Sequence, residues 1–209
     1  MSPDPAVCLF GAGGHGRVVA SQLTQAGVRS IVFCDHALQG QSVCGYPVPF
    51  ASVQDILAAG SDLRVVVTLG DNERRRQLHE RLADRIASAV IIEPGRVYTD
   101  HIAEGTQILA GAVVNVEARI GAGTIINTNA VVEHDCSVGS FSHVASGAVI
   151  GGGAVVGDGV LIGAGAVVLP GVRVASGAIV GGGALVARDI SHGGTWTGVP
   201  ARPQQRANR

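Results

Sequence analysis

The sequence predicts two structural units: a small α/β domain over residues 1–93 and an all-β parallel β-helix over residues 94–209. Three observations predict this fold class. The second half of the chain repeats every six residues, the first half alternates strand-like and helix-like segments around a glycine-rich loop, and aromatic residues make up only 3% of the chain. Because large rings usually fill much of a wide core, we expect an interior built from Val, Ile, Leu and Ala.

In the six-residue repeat, the first position is always Ile or Val and the fifth is mostly small. Helices need apolar spacing of roughly 3.6 residues and half-buried strands need alternation, so a period of six fits neither. It fits a triangular solenoid, in which three short strands and three glycine-rich corners form one coil. The first positions are Ile102, Ile108, Val114, Ile120, Ile126, Val132, Val138, Val144, Ile150, Val156, Ile162, Val168, Val174, Val180 and Val186.

The fifteen hexapeptides of residues 102–191 therefore predict five coils, each paired with the next at roughly 4.8 Å. Hexapeptide repeats of this kind resemble the left-handed β-helix, which is an exception to the right-handed crossover rule. The predicted handedness rests on that resemblance and not on the period.

The first half of the chain predicts a half-Rossmann-like domain with a small parallel sheet, because strands and helices alternate along it. The predicted strands lie at 6–10, 30–34, 64–69 and 87–92, and the predicted helices at 17–26, 52–59 and 72–84.

Between the first strand and the first helix, Gly11, Gly13 and Gly16 satisfy the pattern GxGxxG, and Asp35 follows the second strand. The pattern alone suggests NAD, but the repeat begins too early to leave room for a second half of the dinucleotide fold. Free backbone N–H groups at a helix N-terminus still attract phosphate. A nucleoside diphosphate is the predicted ligand, with Asp35 available for its base or ribose, and a tight turn without a ligand is the alternative.

A second candidate binding segment follows the third long strand, where ligands collect in open α/β sheets. It contains Gly70 and Asn72 and is followed by three arginines at 74–76. One of these arginines could reach a pyrophosphate, but a solvated helix face with pairs such as Arg76–Glu80 is favoured.

The candidate chemistry lies in the repeat, where ionisable residues are rare. His134 is flanked by Glu133 and Asp135, and one coil later, eighteen residues on, the chain reaches Gly152. A histidine beside a position without a side chain predicts a general base next to a backbone oxyanion donor. A flanking carboxylate would orient the imidazole and stabilise its protonated form. The alternative is an ordinary surface histidine in a turn.

A zinc site is the other alternative for the histidines of the repeat. His143 lies half a coil from His134, so the two need not meet within one chain, but they could meet across chains, as the zinc-binding histidines of the gamma-class carbonic anhydrases do. His101 is the only further histidine near them, and no paired-histidine spacing typical of a metal site is present. We therefore expect no metal.

Composition excludes two function classes. The formal net charge of −1 offers no basic surface for nucleic acid. Residues 136–157 carry no charged side chain, but their apolar residues recur at a fixed interval among glycines and serines, so we expect no membrane span. The N-terminus lacks a basic segment before its short apolar run, and the four cysteines lack CxxC spacing. These features predict reduced thiols in a cytoplasmic protein.

Four segments resemble one known family: LFGAGGHGRVV at 9–19, GDNERR at 70–75, INTNAVVEHDCSVGSFSHVASGAVIGG at 126–152 and TGVPARP at 197–203. They are similar to the bacterial nucleotide-sugar acyltransferases that include sialic acid O-acetyltransferases and UDP-4-amino-sugar N-acetyltransferases. The resemblance implies a homotrimer with active sites between neighbouring subunits, acetyl-CoA bound along the β-helix, and a nucleotide sugar held by the N-terminal domain.

The resemblance also implies roles for individual residues. His134 corresponds to the general base, Asp135 to its carboxylate partner and Gly152 to the oxyanion donor. The implied nucleotide-sugar contacts are Gly13, Gly14, His15, Asp35, Gly70, Asn72 and Asn127. The implied acetyl-CoA contacts are His143, Gly152, Ala164 and Gly182.

The predicted function is acetylation, by acetyl-CoA, of the amino group of a 4-amino-deoxysugar linked to UDP or GDP, by direct attack and without a covalent acyl-enzyme. Two alternatives stay open from the sequence. One is an O-acetyltransferase acting on a sugar hydroxyl with the same histidine, and the other is a trimeric scaffold that binds a nucleotide sugar without catalysis.

Overall fold

The computed structural model describes residues 6–60, 62–87 and 89–204. The first five residues, which are part of the N-terminal segment discussed above, lie outside the described residues. The N-terminal domain contains β1 (Val7–Phe10), α1 (Gly14–Gln25), β2 (Ile31–Cys34), β3 (Ser42–Val43), β4 (Tyr46–Pro47), α2 (Val53–Ala58), β5 (Arg64–Val67) and α3 (Asn72–Arg81). Strands β2, β1 and β5 form, in that spatial order, a parallel sheet. The chain adds β2 on one side of β1 and then β5 on the other, so the carboxyl ends of β1 and β5 form the crevice in which ligands collect in such sheets.

Local signals explain where the helices begin. Helix α2 starts at a capping box in which the Ser52 hydroxyl accepts from the Asp55 N–H and the Asp55 carboxylate accepts from the Ser52 N–H. Helix α3 starts at Asp71, whose carboxylate accepts from the Arg74 N–H. The antiparallel β3–β4 hairpin was not predicted, and its turn uses two consecutive residues with positive φ, Cys44 and Gly45.

The strand predicted at 87–92 does not join the N-terminal sheet as a whole. Ile86 bridges to Val65 of β5, but β6 (Val90–Ile91) pairs in parallel with β7 (Gln107–Ile108) of the solenoid. The segment therefore joins the two units, and the predicted boundary at residue 93 falls inside the solenoid.

The C-terminal domain is a parallel β-solenoid with three faces. Face 1 contains β6, β7, β10 (Ile125–Ile126), β13 (His143–Val144), β16 (Leu161–Ile162), β19 (Ala178–Val180), β21 (Gly194–Thr197) and the antiparallel β22 (Arg202–Pro203). Face 2 contains β8 (Val113–Val114), β11 (Val131–Val132), β14 (Val149–Ile150), β17 (Val167–Val168) and β20 (Leu185–Val186). Face 3 contains β9 (Arg119–Ile120), β12 (Ser137–Val138), β15 (Val155–Val156) and β18 (Arg173–Val174).

The predicted fold class is confirmed, and so is the role of the six-residue period. Every first-position residue from Ile108 to Val186 is buried in one continuous core, and the small fifth-position residues, Cys136 among them, pack beside them. The solenoid has about six turns where five were predicted, because β6 and the chain that follows it add one coil before Ile102. No helix in the described part of the chain is long and apolar enough to cross a membrane.

The outward-facing residues differ from face to face. Face 2 presents a partly exposed aliphatic ladder, whereas the corresponding ladder on face 3 is mostly polar. The face 2 ladder consists of Val113, Val131, Val149, Val167 and Leu185, and the face 3 ladder of Arg119, Ser137, Val155 and Arg173. On face 1, the N-terminal domain covers the first coils, so Gln107 and Ile125 are fully buried while Ile179 is 43% exposed.

Candidate active site

The first candidate site is the corner between face 2 and face 3, which we call the His134 corner. Nδ1 of His134 lies 2.7 Å from Oδ2 of Asp135. Asp135 has a positive φ of 60°, a conformation that short polar residues tolerate, and this turns its carboxylate back toward the ring. The hydrogen bond that His134 donates to the Asp135 carboxylate raises the pKa of His134. Because Nδ1 is engaged, Nε2 is the nitrogen that remains available to accept a proton.

Glu133 and Asp135 both flank His134, and the structure distinguishes them. The Glu133 carboxylate accepts from Asn115 Nδ2 at 2.9 Å, within the preceding coil. Asp135 is therefore the carboxylate that supports the imidazole.

Gly152 lies against the His134 ring, as the spacing of eighteen residues predicts. A Cβ built on Gly152 would come within 2.7 Å of His134 Nε2 and 2.8 Å of Cε1. Any other residue at this position would displace the ring, so the space beside Nε2 exists only because position 152 is a glycine.

The Gly152 N–H is an open donor, and the neighbouring corner shows why. In the corner between faces 3 and 1, the equivalent N–H groups donate to side chains one coil further on. The Ser140 N–H donates to the Asp158 carboxylate at 2.7 Å, and the Asp158 N–H donates to the Ser176 hydroxyl at 3.0 Å. The residue one coil beyond Gly152 is Pro170, which has no side-chain acceptor. Among the described residues nothing accepts from the Gly152 N–H.

The His134 corner is open to solvent in a single chain. The side chains of His134 and Asp135 are 59% and 64% exposed. The apolar residues Val116, one coil before His134, and Leu169, beside Pro170, are also exposed. Val116 and Leu169 therefore place exposed apolar side chains on both sides of His134 along this corner.

The second candidate site is the junction between the N-terminal domain and face 1, where His15 of the glycine loop meets Gln107. The Gln107 amide nitrogen donates to the carbonyl oxygen of Val67 at 3.0 Å, so its oxygen faces His15 Nε2, also at 3.0 Å. An amide oxygen only accepts, which places the His15 proton on Nε2. In the neutral ring Nδ1 is then a bare acceptor.

His143 shows the opposite arrangement. The side-chain oxygen of Asn127 accepts from the Thr128 N–H at 2.7 Å, so the Asn127 amide nitrogen faces His143 Nε2 at 3.0 Å. That nitrogen only donates, and Nε2 of His143 is therefore unprotonated.

The two junction histidines form a neutral pair, with ring centroids 6.4 Å apart. Burial, the nearby positive charge of Arg75 and the neighbouring His15 together lower the pKa of His143 to about 4. Burial also lowers the pKa of His15. At His143 the orientation of the Asn127 amide and the lowered pKa agree that the ring is neutral at neutral pH. At His15 burial outweighs the Gln107 hydrogen bond, which acts on the pKa in the opposite direction, and keeps the ring neutral.

The glycine loop divides into packing and open positions. A Cβ on Gly16 would collide with the Gly11 carbonyl oxygen, so these two glycines allow α1 to approach the sheet. Gly13 and Gly14 are exposed and have nothing within 4 Å of a Cβ, and helix α1 begins there without a side-chain cap. The loop therefore offers open N–H groups to an anion.

Asp35 supports this loop directly. Its Oδ2 accepts from the Ala12 N–H and its Oδ1 from the Ala37 N–H, both at 3.0 Å. A cavity of about 540 Å³ extends from Gly14 along α1 to Ala110 at the corner between faces 1 and 2.

Asn72, which was predicted as a substrate contact, makes intramolecular hydrogen bonds in this structure. Its amide nitrogen donates to the carbonyl oxygens of Gly159 and Val160, and its oxygen accepts from Arg75. The side chain is used in docking α3 onto the solenoid. The neighbouring Gly70 is open, with nothing within 4 Å of a Cβ.

Of the three arginines at 74–76, not all lie on the predicted solvated face of α3. Arg76 pairs with Glu73 and Glu80 on the exposed helix face, which confirms the predicted solvated face. Arg75, in contrast, is fully buried between the two domains. Its position next to two exposed arginines gives no sign of this burial, so the sequence analysis missed it.

The predicted acetyl-CoA contacts do not gather at one place in a single chain. Ala164 and Gly182 are exposed at the corner between faces 1 and 2, whereas Gly152 lies at the His134 corner and His143 on face 1. The described residues contain no group of three or more His, Cys, Asp or Glu that could hold a metal ion.

Comparisons with known proteins agree with this arrangement. The PglD N-terminal domain family matches residues 6–82, and the bacterial transferase hexapeptide family matches residues 117–152 and 153–188. A search of curated proteins found no match.

Solved structures match over nearly the whole chain. The acetyltransferase domain of PglB from Neisseria gonorrhoeae is 33% identical, with a TM-score of 0.85 over 96% of this chain and 100% of that chain. PerB from Caulobacter crescentus, in complex with CoA and GDP-perosamine, is 33% identical, with a TM-score of 0.84 over 96% and 97% of the two chains. WeeI from Acinetobacter baumannii is 27% identical, with a TM-score of 0.82 over 94% and 98%.

The fold and these comparisons together define a hexapeptide-repeat acyltransferase with an N-terminal α/β domain. The chain belongs to the PglD-like acetyltransferase family, whose members in these comparisons include the PglB acetyltransferase domain and PerB.

Proposed function

We propose that the chain transfers the acetyl group of acetyl-CoA to the amino group of a 4-amino-deoxysugar linked to UDP or GDP. The observation that carries the proposal is the His134 corner, where a carboxylate-supported imidazole presents Nε2 beside Gly152. The PglB domain has been solved with acetyl coenzyme A, and PerB with CoA and GDP-perosamine, which supports this pair of substrates.

In the proposed reaction, the amine nitrogen attacks the thioester carbonyl carbon directly. His134 Nε2 accepts the amine proton, and Asp135 stabilises the imidazolium that forms. The Gly152 N–H donates to the thioester oxygen as negative charge builds on it. The C–S bond then breaks, and the CoA thiolate leaves with a proton from His134. Cys136 takes no part, because its thiol is buried and hydrogen-bonded to the Gly151 carbonyl oxygen.

The junction is the proposed place of the nucleotide sugar. The open N–H groups at Gly13 and Gly14 suit a diphosphate, and the bare Nδ1 of His15 is an acceptor for a ligand O–H or N–H. His143, Asn127 and Gly70 lie across the junction from this loop.

We infer a homotrimer, since one chain does not complete the site. Face 2 carries the aliphatic ladder, and its two borders are the His134 corner and the corner that holds Ala164 and Gly182. In a head-to-tail contact that closes into a ring, the His134 corner of each chain meets the Ala164 and Gly182 corner of the next chain. The neighbouring chain then covers His134 and completes the acetyl-CoA site. Four free thiols, three of them buried, support the expected cytoplasmic location.

A thiol-release assay tests the proposal. The purified protein is incubated with acetyl-CoA and UDP-, GDP- or dTDP-linked 4-amino sugars, each compared with its 4-hydroxy counterpart, and the product is identified by mass spectrometry. We expect release of CoA and an N-acetylated product with at least one UDP- or GDP-linked amino sugar. Preference for the hydroxy sugar would show an O-acetyltransferase, and no release with any acceptor would leave only the non-catalytic scaffold.

A further inference from the structure

We propose that Arg75 is a positioning residue, which joins the two domains and keeps the histidine pair of the junction in the neutral, fixed tautomers that the nucleotide sugar meets. This inference rests on the proposed function for its link to turnover, but its effect on the histidines is measurable without turnover.

The Arg75 guanidinium donates to acceptors in both domains. On the N-terminal side it binds the Leu69 carbonyl oxygen through Nη1 at 2.8 Å and the Asn72 side-chain oxygen through Nη2 at 2.8 Å. On the solenoid side, Nε binds the Gly123 carbonyl oxygen at 2.6 Å, and Nη2 binds those of Phe141 and Ser142 at 3.0 and 3.1 Å.

These acceptors are adjacent in sequence to the residues of the junction. Leu69 precedes Gly70, and Ser142 precedes His143, so one guanidinium fixes both chain segments relative to each other. Only the planar, five-donor fork of arginine reaches this many acceptors at once. A shift of about 1 Å between positioning groups is enough to lower turnover about 100-fold.

The charge of Arg75 is not neutralised by a partner. The side chain is 0% exposed, and among the described residues no carboxylate lies within ion-pair distance of it. Asp71, at the start of α3, is the carboxylate whose charge acts on it from further away. A buried cation that is held only by neutral carbonyl and amide oxygens projects a positive potential onto its surroundings.

That potential acts on the junction histidines. Arg75 opposes protonation of both His15 and His143, and His15 also opposes protonation of His143. The charged and titratable groups that face His143 are Arg75 from α3 and His15 from α1, and burial acts in the same direction. Protonation of His143 Nε2 would also set an N–H against the Asn127 amide nitrogen, so charge and hydrogen bonding favour the same state.

The experiment compares Arg75→Lys, Arg75→Met and wild type by NMR of ¹⁵N-labelled histidine and by steady-state kinetics. In wild type we expect His143 to hold a single neutral tautomer from pH 8 to pH 5. In Arg75→Met, the midpoint of His143 titration moves to higher pH and its two tautomers mix. Arg75→Lys retains the charge without the fork, so the midpoint stays close to wild type while the tautomers mix.

Kinetics should separate positioning from general damage. We expect the KM for the nucleotide sugar to rise about 10- to 100-fold in both variants, with a much smaller change in the KM for acetyl-CoA. Two controls match these variants: Arg76→Met removes an exposed arginine from the same helix, and Ile56→Val weakens the buried core of the same domain away from the junction.

Each outcome decides the proposal. Unchanged histidine spectra in a folded Arg75 variant would overturn it, as would equal KM changes in Ile56→Val. If Arg75→Met does not fold, Arg75→Lys gives the same two readouts. If wild type shows no turnover with any acceptor, the proposed function fails, yet altered histidine spectra in the Arg75 variants would still establish the role of Arg75 at the junction.

Discussion

The His134 corner and the junction use the same side chain in opposite environments. At the corner, His134 is exposed and held by a carboxylate, which raises its pKa. At the junction, His15 and His143 are held by neutral amides beneath a buried arginine, and their pKa values are lowered. The environment of His134 favours uptake of a proton by its ring. The environment of His15 and His143 favours neutral rings that make directed hydrogen bonds.

The comparison also shows what a single chain can complete. The junction is assembled within one chain, because the N-terminal domain packs on face 1 and buries Gln107 and Ile125. The His134 corner borders face 2, whose ladder has no cover in one chain. Assembly should therefore change the corner far more than the junction.

The largest expected effect comes from preventing assembly. Val149→Glu places a charge in the centre of the face 2 ladder, where burial against another chain would be very unfavourable. We expect a monomer by light scattering, turnover at background, and nucleotide binding within about threefold of wild type, because the junction lies within one chain.

Val155→Glu is the matched control for this variant, since Val155 occupies the equivalent outward position on face 3. It should remain a trimer with wild-type turnover. A trimeric, active Val149→Glu protein would show that face 2 is not the interface.

The next effect comes from removing the proton acceptor. His134→Ala should lower kcat by about 10²- to 10⁴-fold, which is the usual contribution of a general base, with little change in either KM. His101→Ala removes another exposed histidine that lies near a carboxylate, Glu117, and should retain its activity. Near-wild-type kcat in His134→Ala would remove the histidine from the mechanism.

A smaller effect is expected from Asp135→Asn, which keeps the positive φ and removes the charge. Asp135 raises the pKa of His134, so its loss lowers that pKa. Because the base acts when neutral, the acidic limb of the kcat/KM profile should move to lower pH. The plateau should fall about tenfold, since a weaker base accepts the proton less readily.

Glu117→Gln tests the same chemical change one coil earlier, at another residue with positive φ. Its pH profile should match that of wild type. An acidic limb that moves to higher pH in Asp135→Asn would contradict the proposed role of Asp135.

The sequence alone predicts those parts of the molecule that depend on local repetition. The period of six places Ile and Val in the core and brings Gly152 beside His134, because each coil repeats the register of the one before it. The glycine loop is equally local, and the structure places it between a strand and a helix as expected.

The parts that depend on docking of the two domains could not be predicted. Arg75 and Gln107 are polar side chains whose partners are backbone carbonyls and a histidine distant in sequence, and no pattern around either residue marks it as buried. For the same reason the segment that contains β6 was assigned to the N-terminal sheet, since only the packed domains show which surface it meets.

The chain that joins the domains has a further consequence at the ends of the solenoid. Residues 90–91, 97 and 102 pair with the first coil on all three faces, and residues 190 and 194–197 pair with the last coil on two of them. Open strand edges would let solenoids stack end to end into filaments. At the C-terminal end the antiparallel strand β22 follows β21 on face 1, so this edge does not offer the parallel register in which a further coil would pair.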